Sequence, residues 1–253
     1  MEMLNKIIEN KRKEVKTSKK NLPLSSFKYN LKNSKRDFRK AISKNKLNLI
    51  AEIKRRSPSK NITNKEFDIK KIVDIYSKYA DAISVLTDKR FFDGSLMDIR
   101  TVSKLSKLPI LRKDFIIDEY QIYESRFYNA DAILLIASIL SNYELDNFIG
   151  IAKNYGMECL VEVNTEEELN KVLKSNAIII GINNRNLSTL KVDTETTLRL
   201  ADKIPESKIV VSESGISSKD YIKKLSGRVN SILVGTLFMN SANLEEEIMS
   251  LIK

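Results

Sequence analysis

From residue 47 onward the chain repeats one pattern eight times: a short apolar run rich in β-branched residues, then an amphipathic stretch. The runs are 48–54, 82–87, 109–112, 131–136, 158–163, 177–182, 208–213 and 230–235, and their starts lie 34, 27, 22, 27, 19, 31 and 22 residues apart. Apolar runs of this length bounded by turn residues read as buried strands. Each spacing holds a strand, a helix and two loops, so neighbouring strands are expected to be parallel. Helical patterns fill the gaps, from Ile69 to Tyr79, Leu96 to Ser106, Tyr120 to Tyr128, Ser141 to Tyr155, Glu166 to Leu173, Thr194 to Ala201, Lys219 to Leu225 and Leu244 to Ile252. Eight consecutive βα units predict an α/β fold of the (β/α)8 TIM barrel type. The alternative, a doubly wound open sheet, would carry a glycine-rich phosphate loop in its first βα turn. Neither G-x-G-x-x-G nor a Walker A motif occurs.

The barrel is expected over 47–253, with residues 1–46 as a helical extension packed on it. Met3, Leu4, Ile7 and Ile8 form an apolar stripe at helical spacing. Leu22-Pro23-Leu24 breaks that helix, and Arg36 to Ile42 can start another. The segment has too few apolar residues for a core of its own. It is also where the charge resides. The net charge is +11, yet residues 1–60 hold 19 Lys and Arg against 5 Asp and Glu, and the rest of the chain is slightly acidic. A solvated, lysine-rich helical face is the simpler reading, with attraction of an anionic substrate as a second effect. No aromatic interleaving or zinc knuckle supports a nucleic-acid partner.

Several chemistries are excluded outright. There is no histidine, so Ser-His-Asp and Cys-His catalysis and histidine metal sites fall away. Cys159 is the lone cysteine; it lies in an apolar run beside Leu160 and Val161 and reads as buried filler, as suits a reducing cytoplasm. No stretch reaches the ~18 apolar residues of a membrane span, and the charged start lacks the apolar core of a secretory signal. Neither metal nor cofactor is expected. Acid–base work must fall to Lys, Glu or Asp.

Those residues stand at the ends of the strands. Glu52 and Lys54 end the first run and, two apart, project from one face. Lys113 ends the third, Glu162 sits inside the fifth, Asn183 and Arg185 end the sixth, and Glu213, Ser214 and Gly215 end the seventh. The eighth closes on Leu233, Gly235 and Thr236. A charge at a buried strand tip is penalised by desolvation unless it is paired or used. A self-satisfied Glu52–Lys54 pair, a surface Lys113 at a loop start and an Arg185 ion pair are the structural alternatives. Catalytic residues of a barrel come from the C-terminal ends of its strands, and phosphate commonly binds after strands seven and eight, where Gly215 and Gly235 fall. Together these residues imply a phosphorylated, carboxylated small molecule handled by acid–base chemistry. Glu162 needs a cation or carries a raised pKa, and Lys113 is expected to be tuned downward by Lys54. Ser57-Pro58-Ser59, just after the first strand, is expected to contact a ligand anion.

The strings IAEIKRRSPSK, SVLTDKRFFDGS, PILRKDFIIDEYQIYESR, ADAILLI, LVEV, IGINNRNL, VVSESGI and ILVGT closely resemble, in order over about 48–240, the motifs of the indole-3-glycerol-phosphate synthase family. LNKIIENKRKEV resembles that family's extra helix. The resemblance implies closure of 1-(2-carboxyphenylamino)-1-deoxyribulose 5-phosphate to indole-3-glycerol phosphate, with loss of carbon dioxide and water, in tryptophan synthesis. It implies Lys113 as general acid, Glu162 as base or proton partner, and Lys54 on the substrate carboxylate, oriented by Glu52. Asn183 would position hydroxyls, with Glu213 and Arg185 completing the polar network. Ser57, Ser214, Gly215 and Gly235 would hold the phosphate, Ser57 lying toward the carboxylate side. Phe92, Phe115, Leu134 and Leu187 would form the slot for the aromatic ring. Asp93 and Thr236 depart from the family pattern. No second barrel follows, so fusion to the preceding isomerase is not expected; a monomer is, with a weak homodimer as the alternative. A Schiff-base aldolase using Lys54 or Lys113, a non-catalytic module for a phosphorylated ligand, and a nucleic-acid binder using the basic first quarter are the competing readings.

Overall fold

The two-residue period of a strand decides which side chains meet. In the computed structural model, which describes residues 2–57 and 67–252, eight parallel strands close in sequence order: β1 (Asn48–Ile53), β2 (Ala82–Leu86), β3 (Ile110–Lys113), β4 (Ala132–Ile136), β5 (Glu158–Val163), β6 (Ile179–Asn183), β7 (Ile209–Glu213) and β8 (Ser231–Val234). The last step, β1 on β8, pairs Ile50 with Leu233. One set of alternating residues, including Ile50, Leu111, Leu134, Leu160, Ile179 and Val211, packs inside the barrel. The other set, including Leu49, Ala51, Ile53, Ile83, Val85 and Val161, packs outward under the helices. The barrel predicted from the spacing is therefore the fold, and each predicted strand lies within two residues of its observed bounds.

The helical shell consists of α3 (Ile69–Tyr79), α4 (Lys89–Phe92), α5 (Leu96–Leu105), α6 (Glu119–Phe127), α7 (Asn142–Asn154), α8 (Glu166–Leu173), α9 (Glu195–Ala201), α10 (Lys219–Leu225), α11 (Thr236–Asn240) and α12 (Leu244–Ile252). Starts are set by side-chain caps: Ser141 and Thr165 form capping boxes with Glu144 and Glu168. α4 and α11 are absent from the sequence reading because four or five residues carry no helical period. Gly94 follows α4.

Ahead of the barrel, α1 (Glu2–Asn21) and α2 (Phe38–Ala41) belong to a strap that runs from one end of the barrel to the other. Near its start, Ile7 packs with the interior residues close to the C-terminal strand ends. Further on, Val15 and Phe27 pack on Tyr120 and Tyr123 of α6. At the far end Arg36 pairs with Asp131, just before β4, at 3.2 Å. Phe38 and Ile42 are fully buried and close the N-terminal end of the barrel. Asn48 holds that plug by donating to the Ile42 carbonyl at 3.2 Å, and Ser231 does so at 2.6 Å.

One reading of this segment is corrected. The lysines of α1 are not uniformly solvated: Lys11 is 3% exposed and lies 2.8 Å from Asp88, 2.9 Å from Asp114 and 2.6 Å from Glu14. Its helical position, four residues after Ile7, aims it at the barrel rather than at water.

Candidate active site

The C-terminal ends of the strands enclose a cavity of 930 Å³. Its floor is charged because the inward positions of β1, β3, β5 and β7 end in Glu52, Lys113, Glu162 and Glu213, while Lys54 follows one residue after β1. All five are buried or nearly so. Lys54 Nζ donates to Glu52 Oε1 at 2.8 Å and to Thr236 Oγ1 at 3.1 Å. Lys113 Nζ donates to Glu162 Oε2 at 2.9 Å and lies 3.0 Å from Glu213 Oε2. Asn183, on β6, donates to the other oxygen of Glu162 at 2.9 Å and accepts from the Arg185 backbone N–H at 2.9 Å. The fifth-strand carboxylate thus has the cationic neighbour its position demanded.

Charge distribution distinguishes the members. Burial alone would lower the Lys113 ammonium, but the negative charges of Glu162, Glu213 and Glu52 outweigh it and hold the group above the ordinary lysine value. The expected lowering by Lys54 is not found: Lys54 is held by Glu52, while Lys113 stands between two carboxylates. The Glu213 carboxyl is displaced from its usual range. Burial pushes it up to about 7, Lys113 opposing and Glu162 adding to the rise. Both its oxygens are buried, and among the described residues the cation that holds it is the Lys113 ammonium at 3.0 Å.

Two glycines make room for this chemistry. A Cβ on Gly181 of β6 would collide with Glu213 Oε1, and one on Gly235 would collide with Glu52 Oε1. Gly235, expected as an anion-binding turn, lines the cavity and also gives Glu52 its space.

Around the floor, the wall carries both apolar and polar residues. Phe92, Phe115, Leu134, Leu187 and Leu233 line one cavity with the charged group, and the rings of Phe92 and Phe115 lie 6.3 Å apart. Ser57, Ser214, Gly215, Gly235 and Thr236 line it too. Ser214 and Gly215 have φ of 65° and 74°, two successive left-handed residues that turn the chain sharply after β7. Arg185 does not extend β6; it forms an antiparallel bridge with Val192. Its guanidinium donates to the Leu190 carbonyl at 2.8 Å and closes no ion pair among the described residues, and burial lowers its pKa, with Glu52 opposing. Pro58 and Ser59 lie outside the described residues. Sequence reasoning missed Ile7, which reaches the cavity from α1, and Ser217, Asn240 and Ser241. The apolar stripe of α1 is visible in the sequence, but nothing local says which end of the barrel it meets.

Comparison with known proteins gives the same picture for the whole chain. A family model described as indole-3-glycerol phosphate synthase matches residues 4–251. A protein of Caldanaerobacter subterraneus subsp. tengcongensis named indole-3-glycerol phosphate synthase is 49% identical over 239 residues, covering 94% of this chain and 93% of its own. The tryptophan biosynthesis protein TrpCF of Buchnera aphidicola subsp. Diuraphis noxia is 44% identical over 250 residues, 99% of this chain but only 55% of that longer protein. Among solved structures, 3-hexulose-6-phosphate synthase from Salmonella typhimurium superposes with a TM-score of 0.65 over 81% of this chain and 96% of its own. At 15% identity that likeness concerns the fold alone.

Proposed function

The chain belongs to the indole-3-glycerol phosphate synthase family, and from that premise we propose how its cavity divides the work. The reaction closes 1-(2-carboxyphenylamino)-1-deoxyribulose 5-phosphate to indole-3-glycerol phosphate, releasing carbon dioxide and water. A carbon–carbon bond forms between the ring carbon bearing the carboxylate and the ketone carbon. The ketone oxygen needs a proton as that bond forms, and a second proton transfer lets it leave as water.

Lys113 supplies the first proton. Its ammonium is kept charged by Glu162 and Glu213 and points into the cavity from the end of β3. The benzene ring recovers its aromaticity by losing carbon dioxide, and Glu162, fixed on its other side by Asn183, takes up the proton that the nitrogen-bound methylene loses as water leaves. Lys54, oriented by Glu52 and Thr236, receives the ring carboxylate, with Ser57 nearby on the lining. The Phe92–Phe115 side accepts the aromatic ring, and the Ser214–Gly215 turn with Gly235 and Thr236 accepts the phosphate. Arg185 adds a cation to the same mouth. We further infer a monomeric cytoplasmic enzyme with an anionic small-molecule substrate and no nucleic-acid or membrane partner.

The observation that carries this reading is the Lys113 ammonium held 2.9 and 3.0 Å from two buried carboxylates at the floor of a half-apolar cavity. It is tested by mixing the purified protein with the substrate, without added metal or cofactor, and following indole fluorescence. Lys113→Ala is expected to lower turnover by about 10²–10⁴-fold while substrate binding stays detectable. Unchanged turnover refutes the assignment. Trapping of a substrate imine by borohydride would favour an aldolase instead.

A further inference from the structure

We propose that Asn184 is a positioning residue that locks the anion-binding turn, gripping the Ser214 carbonyl from outside the barrel. The inference rests on the reading above that this turn takes the substrate phosphate. Asn184 follows Asn183 and therefore points away from the cavity, toward α9 and α10. It is 1% exposed. A buried carboxamide needs all its partners, and those found here come from several different elements. Its oxygen accepts from the Thr197 backbone N–H at 3.0 Å and from the Thr197 hydroxyl at 2.9 Å. Its nitrogen donates to the Ser214 carbonyl at 2.9 Å and to the Tyr221 hydroxyl at 3.2 Å. Tyr221 in turn donates to the Thr194 carbonyl at 2.7 Å. The Thr197 and Ser212 hydroxyls lie 2.8 Å apart beneath this group.

Through its side chain the network reaches the cavity rim at the Ser214 carbonyl. Ser214 is the residue that needs holding, because a serine with φ of 65° is in a conformation L-residues avoid. Gly215, next to it, could not carry a side chain: a Cβ would stand 2.7 Å from Val192 and 2.9 Å from Thr194. Those two residues close the loop that Asn184 opens, and Asn184 also ties the loop shut through its carbonyl, which accepts from the Asp193 N–H at 2.8 Å. One residue therefore fixes both the turn and the loop that packs over it, leaving the backbone N–H groups of the turn in place for an oxyanion before it arrives.

The test uses the full chain and two probes, inorganic phosphate and 2-aminobenzoate, as competitive inhibitors of turnover. In Asn184→Ala the phosphate Ki and the substrate KM are expected to rise by about tenfold, the loss of one directed hydrogen bond to the turn. kcat stays within about threefold, as expected for lost uniform binding. The 2-aminobenzoate Ki stays within about twofold, a split that a merely structural residue would not produce. Tyr221→Phe, which removes one buttress and keeps the packing, is expected to move the phosphate Ki in the same direction by about threefold, and carries the test if Asn184→Ala fails to fold. Gly215→Ala separates the two layers of the argument. If it raises the phosphate Ki while Asn184→Ala and Tyr221→Phe leave it flat, the role of Asn184 is overturned. If Gly215→Ala itself leaves the phosphate Ki flat, the anion-site reading falls and takes this inference with it.

Discussion

Replacing Lys11 by methionine isolates the energetic weight of the charge that α1 buries. Met keeps the aliphatic stem and removes the ammonium, so packing is largely preserved while Asp88 and Asp114 lose a shared cation at 2.8 and 2.9 Å. The two aspartates are not equally exposed to that loss. Asp114 retains Arg112 at 3.0 Å and the Thr87 hydroxyl at 2.6 Å. Among the described residues Asp88 retains the Phe91 backbone N–H at 2.8 Å on one oxygen, and its other oxygen receives no directed hydrogen bond. Orphaning one buried charge typically costs about 3–5 kcal/mol, which for a chain of this length lowers Tm by roughly 10 °C. Burial already raises the Asp88 pKa with Lys11 present and opposing it, so without Lys11 it rises further. A folded pKa above the unfolded one means the native state binds more protons, and stability then falls as pH rises. The penalty of Lys11→Met is therefore smallest near about pH 5 and largest near about pH 8. Urea titrations of Lys11→Met, Asp88→Asn and the double variant at both pH values measure this. The amide introduced by Asp88→Asn can still cap α4 but carries no charge to orphan, so part of the loss should return in the double variant. A penalty below about 1 kcal/mol, or one that neither pH nor the second substitution changes, refutes the reasoning.

Two further outcomes follow from the carboxylates of the floor. Gly181→Ala should displace the Glu213 carboxylate, whose Oε1 occupies the space of the new Cβ, and disturb Lys113 with it; turnover falls at least about tenfold, with stability down by about 1–3 kcal/mol. Wild-type turnover in that variant would show that Glu213 has free space the geometry denies. The raised Glu213 pKa makes the native state bind more protons than the unfolded chain, so its contribution is complete below the ordinary glutamate value and is lost as pH rises toward about 7. Over that window its part of the stability slope approaches about 1.4 kcal/mol per pH unit; Glu213→Gln removes it, and an unchanged slope in urea melts at about pH 5, 6 and 7 would contradict the assignment.

Periodicity made the barrel legible because a parallel strand buried on both faces leaves a continuous apolar run, and the residues ending each run then fall at one rim. Glu52, Lys113, Glu162 and Glu213 were readable for that reason: each interrupts or ends an apolar run where a charge is otherwise unfavourable. What stayed hidden depends on distance in sequence. Lys11 looked like one of many lysines until the fold set Asp88 and Asp114 against it. Asn184 looked like the second half of an Asn-Asn pair; only the strand's alternation assigns it to the outer face, and only the fold brings Tyr221 and Ser214 to it. Gly235 reads from sequence as a turn former, and its steric role toward Glu52 requires knowing that β8 closes on β1.

Burial with a shared cation accounts for the raised pKa of Glu213. At the strand ends, among the described residues, the carboxylates of Glu52, Glu162 and Glu213 face the ammonium groups of Lys54 and Lys113. Glu52 has Lys54 at 2.8 Å and Glu162 has Lys113 at 2.9 Å, each through a directed hydrogen bond, and Glu162 is further satisfied by Asn183. Among the described residues Glu213 has a share of Lys113 and no further donor, so in a buried site an added proton is favoured there. A carboxyl poised near neutrality changes what Lys113 can do. When Glu213 is protonated, Lys113 has one anionic partner and can turn a donor toward a bound ketone. When Glu213 is ionised, it pulls the ammonium back between the two carboxylates. Glu213 thus bears on the proposed acid through the contact they share, and the Gly181 gap is what lets that neighbour sit there.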